Sequence, residues 1–203
     1  MLYRVAWILC RTYLLVIRRI SISGTEHVPR QGGLILVSNH VSYLDPVAIA
    51  SSLPQSRHVY FMAKYELFKI PLLGFIITRL GAFSVKRGGA DRSAIRTALS
   101  HLDNGRVVGI FPEGTRNTTK EEMLEPHMGA AMLSLKAGVP VLPVAVTGSR
   151  GFFRKVSVRF GEPMYFNSDP AGKKAGRKEL VDISTKIMAK VAGLMDTKSG
   201  DII

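Results

Sequence analysis

Short apolar runs alternate with amphipathic stretches along most of the chain, and this alternation constrains the fold more than any other feature. Strands are expected at residues 34–37, 59–63, 81–85, 106–111, 139–146 and 156–160. The segments between them carry helix signals. Asp45-Pro46 opens a helix through Ser52, with Asp45 as N-cap and Pro46 at the first helical position. Asp91 caps a second helix, with Ile95, Ala98, Leu99 and Leu102 on one face and Asn104-Gly105 at its end. Gly129–Ala137 forms a third, closed by Gly138. Leu180, Ile183, Ile187, Val191 and Leu194 define a last amphipathic helix. Strands alternating with helices predict an α/β fold: a single domain with a central mixed sheet flanked by helices. The 203 residues fit one such domain, placed at 21–203.

Residues 1–20 are read separately. They are apolar but carry Arg4, Arg11, Arg18 and Arg19. Arg11 divides the apolar run, so the roughly 20 uninterrupted apolar residues of a membrane span are not present. A cleaved leader is not expected either, because it needs an unbroken apolar centre. On a helix, Arg4, Arg11 and Arg18 recur every seven residues as one stripe, beside Trp7. That pattern predicts an amphipathic helix lying in the membrane interface, with its Arg heads among lipid phosphates. Residues 68–80, including Leu72, Leu73, Phe75, Ile76 and Ile77, form the most apolar interior stretch. The default expectation for them is core, the alternative an acyl-chain groove or a membrane contact.

Charge narrows the partners. Lys and Arg number 28 against 15 Asp and Glu, a net charge of +13, with clusters at Arg18–Arg19, Lys86–Arg87 and 173–178. A basic surface selects an acidic partner: nucleic acid, an anionic membrane, or a phosphate-bearing substrate. The basic clusters lack the interleaved aromatics of single-strand binders, so nucleic acid is not the expected partner. The single cysteine, Cys10, excludes an internal disulfide and is expected to pack as a small hydrophobe. Five His and one Cys without metal spacing predict no metal site. There is no Gly-x-Ser-x-Gly elbow, no phosphate-binding Walker loop and no dinucleotide fingerprint.

Two segments carry chemistry. In Asn39-His40-Val41-Ser42-Tyr43-Leu44-Asp45, His40 falls on a strand-to-helix turn. An imidazole suits general-base work near neutral pH. An acid five residues later is placed to take the other ring N–H and fix the tautomer. No protein serine completes the set, so the nucleophile has to come from a substrate. The plainer reading makes Asp45 a helix cap and His40 a polar turn residue. In Phe111-Pro112-Glu113-Gly114-Thr115-Arg116, Gly114 permits close backbone approach, Thr115 offers a hydroxyl and Arg116 a planar fork for phosphate. Glu113 is placed either to hold Arg116 or to meet a substrate hydroxyl.

Together, Asn-His-x4-Asp and, about seventy residues on, Phe-Pro-Glu-Gly-Thr-Arg resemble the glycerolipid acyltransferase family, over roughly Ser23 to Glu162. Residues 81–87 resemble that family's second motif, with Arg87 matching its phosphate-contacting Arg. Residues 139–146, an apolar strand with Pro140 and Pro143, resemble its fourth. Lys64 matches a recurrent family Lys that polarises the thioester carbonyl. One departure is Lys86, where the family often has an acid.

The resemblance implies transfer of a fatty acyl group from a thioester to the sn-2 hydroxyl of 1-acylglycerol 3-phosphate, giving phosphatidic acid. His40 and Asp45 are the implied catalytic pair. Arg87, Glu113, Gly114, Thr115, Arg116 and Lys64 are the implied substrate-binding residues. No cofactor is implied, only coenzyme A or acyl carrier protein as the carrier of the acyl group. The remaining partners are a lysophospholipid acceptor and an anionic membrane, with the protein peripheral or monotopic on the cytoplasmic face of the cell membrane. The alternatives are the same chemistry on another lysophospholipid or on glycerol 3-phosphate, and a non-catalytic lipid-surface binding protein.

Overall fold

The β2 run Leu34–Ser38 is buried at every position, which only a strand covered on both faces requires. In the computed structural model, which describes residues 2–89, 91–117, 124–167 and 175–196, it lies near the middle of a seven-stranded sheet. The strands are β1 (Ser21–Ser23), β2, β3 (Val59–Lys64), β4 (Phe83–Val85), β5 (Val107–Ile110), β6 (Val141–Thr147) and β7 (Ser157–Phe160). Their order is β1-β7-β6-β2-β5-β3-β4. The five strands β6-β2-β5-β3-β4 are mutually parallel. β7 runs antiparallel to β6, and β1 pairs parallel with β7, so the sheet is mixed as expected.

The two faces of the sheet follow from side-chain alternation. Leu34 and Leu36 point to one face, where they pack with Leu14 of α1 (Leu2–Val16) and with Ala48, Ile49 and Leu53 on or just after α2 (Asp45–Ser52). Ile35 and Val37 point to the other. There they meet Ala98 and Leu102 of α5 (Arg92–Asp103), Ala131 and Leu133 of α6 (Gly129–Ala137), and Ile183, Ile187 and Val191 of α7 (Arg177–Asp196). Asp91 caps α5 as expected, accepting from the Ser93 and Ala94 N–H groups. Pro143 is tolerated inside β6 because it lies just past the ladder to β7, which ends at the Val144–Phe160 pair. Its carbonyl takes the Gly161 N–H at 2.9 Å. The basic cluster expected at 173–178 begins outside the described residues.

Three expectations are corrected. The Arg stripe turns inward at two of its three positions, and only Arg4 stays exposed. Arg18 is buried and donates to the carbonyls of Gly148, Ser149 and Arg154, and Arg11 donates to Ser51 O. Trp7 Nε1 likewise donates to Leu53 O. It is the opposite face of α1, with Leu2, Val5, Ile8, Leu9 and Val16, that is exposed. A guanidinium can satisfy buried carbonyls that no leucine could, so Arg11 and Arg18 dock while the apolar side faces out.

Residues 68–80 are not core. They contain α4 (Pro71–Arg79), which follows the short α3 (Tyr65–Phe68), and of α4 only Gly74 is buried. Leu72 is 73% exposed, and Ile70, Leu73, Phe75 and Ile76 also face out. Asp45 does not cap α2; its carboxylate turns back onto the preceding loop. No described helix is long and apolar enough to cross a membrane.

Candidate active site

Strand topology places the site. From β2 the chain crosses to β3 on one side, whereas from β5 it crosses to β6 on the other. β2 and β5 are neighbours, so the gap beyond their carboxyl ends is a topological switch point, where open α/β sheets bind ligands. His40 follows β2 and Glu113 follows β5 into that gap.

The His40 turn is held from several sides. The Asn39 side chain pairs with the Val146 backbone, donating to its carbonyl and accepting its N–H, both at 2.9 Å. The His40 N–H donates to Glu113 Oε1 at 2.9 Å. The His40 carbonyl takes the Asn117 N–H at 2.8 Å. The imidazole stacks on Phe111 with centroids 4.1 Å apart, leaving the side chain 16% exposed. Its Nδ1–H donates to Asp45 Oδ2 at 2.9 Å. The same oxygen accepts the Val41 and Ser42 N–H groups at 2.7 Å, and Asp45 is fully buried. A carboxylate fixed by two backbone N–H groups cannot swing away, so it fixes the tautomer of His40: Nδ1 carries the proton and Nε2 is the basic nitrogen. No described residue bonds Nε2. A pair held this way can serve as a general base with an orienting acid for a nucleophile that a substrate supplies.

Glu113 neither holds Arg116 nor faces outward. It is buried, with one oxygen on the His40 N–H and the other on the Leu124 N–H at 3.3 Å. A carboxylate that bridges two loops this way is a positioning residue. Gly114 has φ of +63°, a left-handed backbone that favours glycine, and its open side faces the His127 ring. Thr115 is exposed and Arg116 half-buried. The Arg116 guanidinium carbon lies 3.7 Å from the centroid of the Tyr43 ring, which presents the fork beside the His40 turn.

A second group gathers at the ends of the adjoining strands. Lys64, the last residue of β3, lies 3.5 Å from Glu66 and is in register with Val85, two residues before Arg87. Glu66 sits below the usual carboxylate range, first through its own backbone N–H and then through the charges of Lys64 and Arg87. Lys69 and Lys86 both lie over the Tyr65 ring, at 5.1 and 5.2 Å. Arg87 itself is exposed. No hydrogen bond or ion pair among the described residues joins Lys64 or Arg87 to His40 or Arg116. The two groups share one end of the sheet. Among the described residues no three His, Cys, Asp or Glu side chains gather as a metal site.

Sequence reasoning missed the role of Tyr43 as a platform, although it lies within the His40 segment. It also missed Arg150, whose side chain donates to the carbonyls of Val41 and Asn117, on either side of the catalytic turn. Nothing local marks Arg150, since its partners lie 109 and 33 residues away.

A family model described as Acyltransferase matches residues 19–147. A 1-acyl-sn-glycerol-3-phosphate acyltransferase of Bacillus subtilis is 30% identical over 72% of this chain and 74% of its own. A lyso-ornithine lipid O-acyltransferase of Pseudomonas aeruginosa is 36% identical over 71% of this chain and 53% of its own. The chain thus spans about half to three quarters of the length of such relatives. The crystal structure of the 1-acyl-sn-glycerophosphate (LPA) acyltransferase PlsC from Thermotoga maritima superposes with a TM-score of 0.73. It is 28% identical, and the match covers 97% of this chain and 81% of that one.

Proposed function

Because the chain belongs to the acyltransferase family, we propose that it moves a fatty acyl group from an acyl thioester to the sn-2 hydroxyl of 1-acylglycerol 3-phosphate, forming phosphatidic acid. The observation that carries this reading is the His40 Nδ1–Asp45 Oδ2 bond of 2.9 Å, with Nε2 left as base and no protein nucleophile beside it. His40 Nε2 takes the proton of the sn-2 hydroxyl, and Asp45 stabilises the imidazolium. The acceptor oxygen attacks the thioester carbonyl and the C–S bond breaks. The departing thiolate, of coenzyme A or of acyl carrier protein, takes the proton back from Nε2. Water has to be kept from the same carbonyl, and the covered setting of His40 against Phe111 supports that.

Arg116, braced by Tyr43, and Arg87 bind the acceptor phosphate, and the Gly114 and Thr115 turn lies between the phosphate and the reacting hydroxyl. Lys64 lies near the thioester carbonyl. With the donor bound as well, fixing the phosphate makes the attack effectively unimolecular.

The protein works as a peripheral enzyme at the cytoplasmic face of an anionic membrane. The exposed apolar faces of α1 and α4 and the net charge of +13 support this. The two helices are linked: Tyr3 of α1 stacks on His58 at 3.5 Å, and His58 Nε2–H donates to Leu80 O just past the end of α4. The test is thioester-release kinetics with a panel of acceptors: 1-acylglycerol 3-phosphate, glycerol 3-phosphate, lyso-ornithine lipid and other lysophospholipids. Each is offered with both donors. Fastest turnover on 1-acylglycerol 3-phosphate supports the reading, and turnover confined to another acceptor replaces it.

A further inference from the structure

The loop between β6 and β7 carries two adjacent phenylalanines, Phe152 and Phe153, that are 81% and 91% exposed. No other large apolar side chain among the described residues is as exposed. Isolated exposed apolar residues are ordinary, but a paired aromatic tip on a polar base is a contact surface. The base is firmly built. Arg18 donates to Arg154 O at 3.1 Å, Gly148 O at 3.0 Å and Ser149 O at 3.4 Å. Gly148, at φ of +71°, closes the base against the Lys155 carbonyl, where a Cβ would collide. Arg150 extends from the same loop to Val41 O and Asn117 O beside His40.

Charge selects the partner. Arg154 and Lys155, both exposed, follow the tip, and no Asp or Glu occurs between Glu125 and Glu162. Aromatic rings at an apex with cations behind them match the acyl boundary and anionic headgroups of a bilayer. Continuity points the same way. The exposed face of α1 ends at Val16 and Ile17, and the next residue, Arg18, is the one that closes the loop base. Tyr3 at the other end of α1 leads to α4.

We propose that Phe152 and Phe153 form a membrane-inserting tip, the third part of a belt made with α4 and α1, which seats the His40 turn at the surface of an anionic bilayer. The proposal rests on the peripheral-membrane reading above. Arg18 and Arg150 make the tip a rigid spur: one ties it to α1, the other to the catalytic turn.

The experiment uses the full chain and vesicles of phosphatidylcholine and phosphatidylglycerol. Trp7 is the single tryptophan, so Trp7→Phe with Phe153→Trp places the sole indole at the tip. Its emission shifts to the blue on vesicle binding, and lipids brominated near the headgroup end of the acyl chain quench it. Phe152→Ser with Phe153→Ser, which keeps Trp7, lowers vesicle affinity by more than about tenfold, since two rings lose their contact with lipid. The same variant retains turnover on a short-chain, water-soluble acceptor. Wild-type binding with an unquenched indole at 153 and an unchanged Ser variant overturns the tip and leaves the membrane reading intact. Failure of the wild-type chain to bind the vesicles overturns both.

Discussion

The backbone N–H of His40 donates to Glu113 Oε1 at 2.9 Å across 73 residues of sequence. That bond joins the two motif segments, and it makes the buried Glu113 carboxylate a support for the His40 turn. Glu113→Ala strands the His40 N–H and releases that of Leu124, an exposed residue that water can serve. One unsatisfied buried donor costs about 1–3 kcal/mol. Urea unfolding is expected to show a loss of that size, together with a fall in kcat. Glu113→Gln keeps one acceptor oxygen and is expected to recover much of the stability.

Arg116 is predicted to act on the acceptor and not on the donor. Arg116→Ala raises the acceptor KM and leaves the donor KM near wild type; Arg116→Lys rescues only in part, because an ammonium lacks the planar fork. Tyr43→Ala removes the ring 3.7 Å from the guanidinium carbon. An exposed cation–π contact contributes about 0.5–1 kcal/mol, so the acceptor KM is expected to rise by roughly 2- to 5-fold. Steady-state kinetics with each substrate varied in turn separates the cases. A rise in donor KM alone would reassign Arg116 to the carrier site.

Membrane attachment is predicted to respond to the outward faces of α1 and α4. Leu9→Ser with Leu72→Ser, both exposed, weakens vesicle co-sedimentation and leaves the melting temperature within about 2 °C, since exposed sites change stability little. Removing residues 2–19 is a different experiment. It takes out Leu14, fully buried in the core, and the Arg18 clamp, and is expected to lower stability markedly. High salt loosens the intact protein without releasing it, because screening removes only the charge contribution.

Stability is predicted to fall as the medium becomes acidic. Burial pushes the His58 imidazole below its usual value of 6.5, and His101 is lowered in the same way, with Arg106 adding to both. The rings sit in a stack that runs Tyr3–His58–Tyr60–His101. Below about pH 6.5 the unfolded chain takes up protons at these positions that the folded chain resists, so unfolding gains. This contribution is present above that pH and lost progressively beneath it. Urea midpoints at pH 7.5 and 5.5 measure the slope, and His58→Gln reduces it.

The sheet was legible because its central strands, Leu34–Ser38, Val107–Ile110 and Val141–Thr147, are almost wholly apolar and the segments between strands carry Asp-Pro, Asn-Gly and Gly signals. All six expected strands occur, with ends shifted by up to two residues. β1 was not, since Ser21–Ser23 has a single apolar residue and forms only by pairing with β7. The direction of α1 was misread because an Arg stripe has the same period whether it faces lipid phosphates or, as Arg11 and Arg18 do, carbonyls of α2 and of the loop between β6 and β7. Residues 68–80 were misread because apolar composition does not distinguish core from an exposed apolar face. At the site, His40 and Asp45 stood out through their spacing. The structure shows that Asp45 orients His40 and does not cap α2. The part played by Glu113 depends on a bond to a backbone N–H that no side-chain pattern records.

The central claim is that His40, oriented by Asp45, is the base that activates the acceptor hydroxyl. Thiol release from an acyl thioester, followed with saturating 1-acylglycerol 3-phosphate, tests it in wild type, His40→Ala and Asp45→Asn. Loss of a general base typically costs about 10²- to 10⁴-fold. A decrease of that size is expected for His40→Ala, with an unfolding midpoint close to wild type. Asp45→Asn is expected to fall between the two in rate, since the amide can hold the ring only by turning its oxygen to Nδ1 and so has no charge to stabilise the imidazolium. Turnover near wild type in a folded His40→Ala protein would contradict the account.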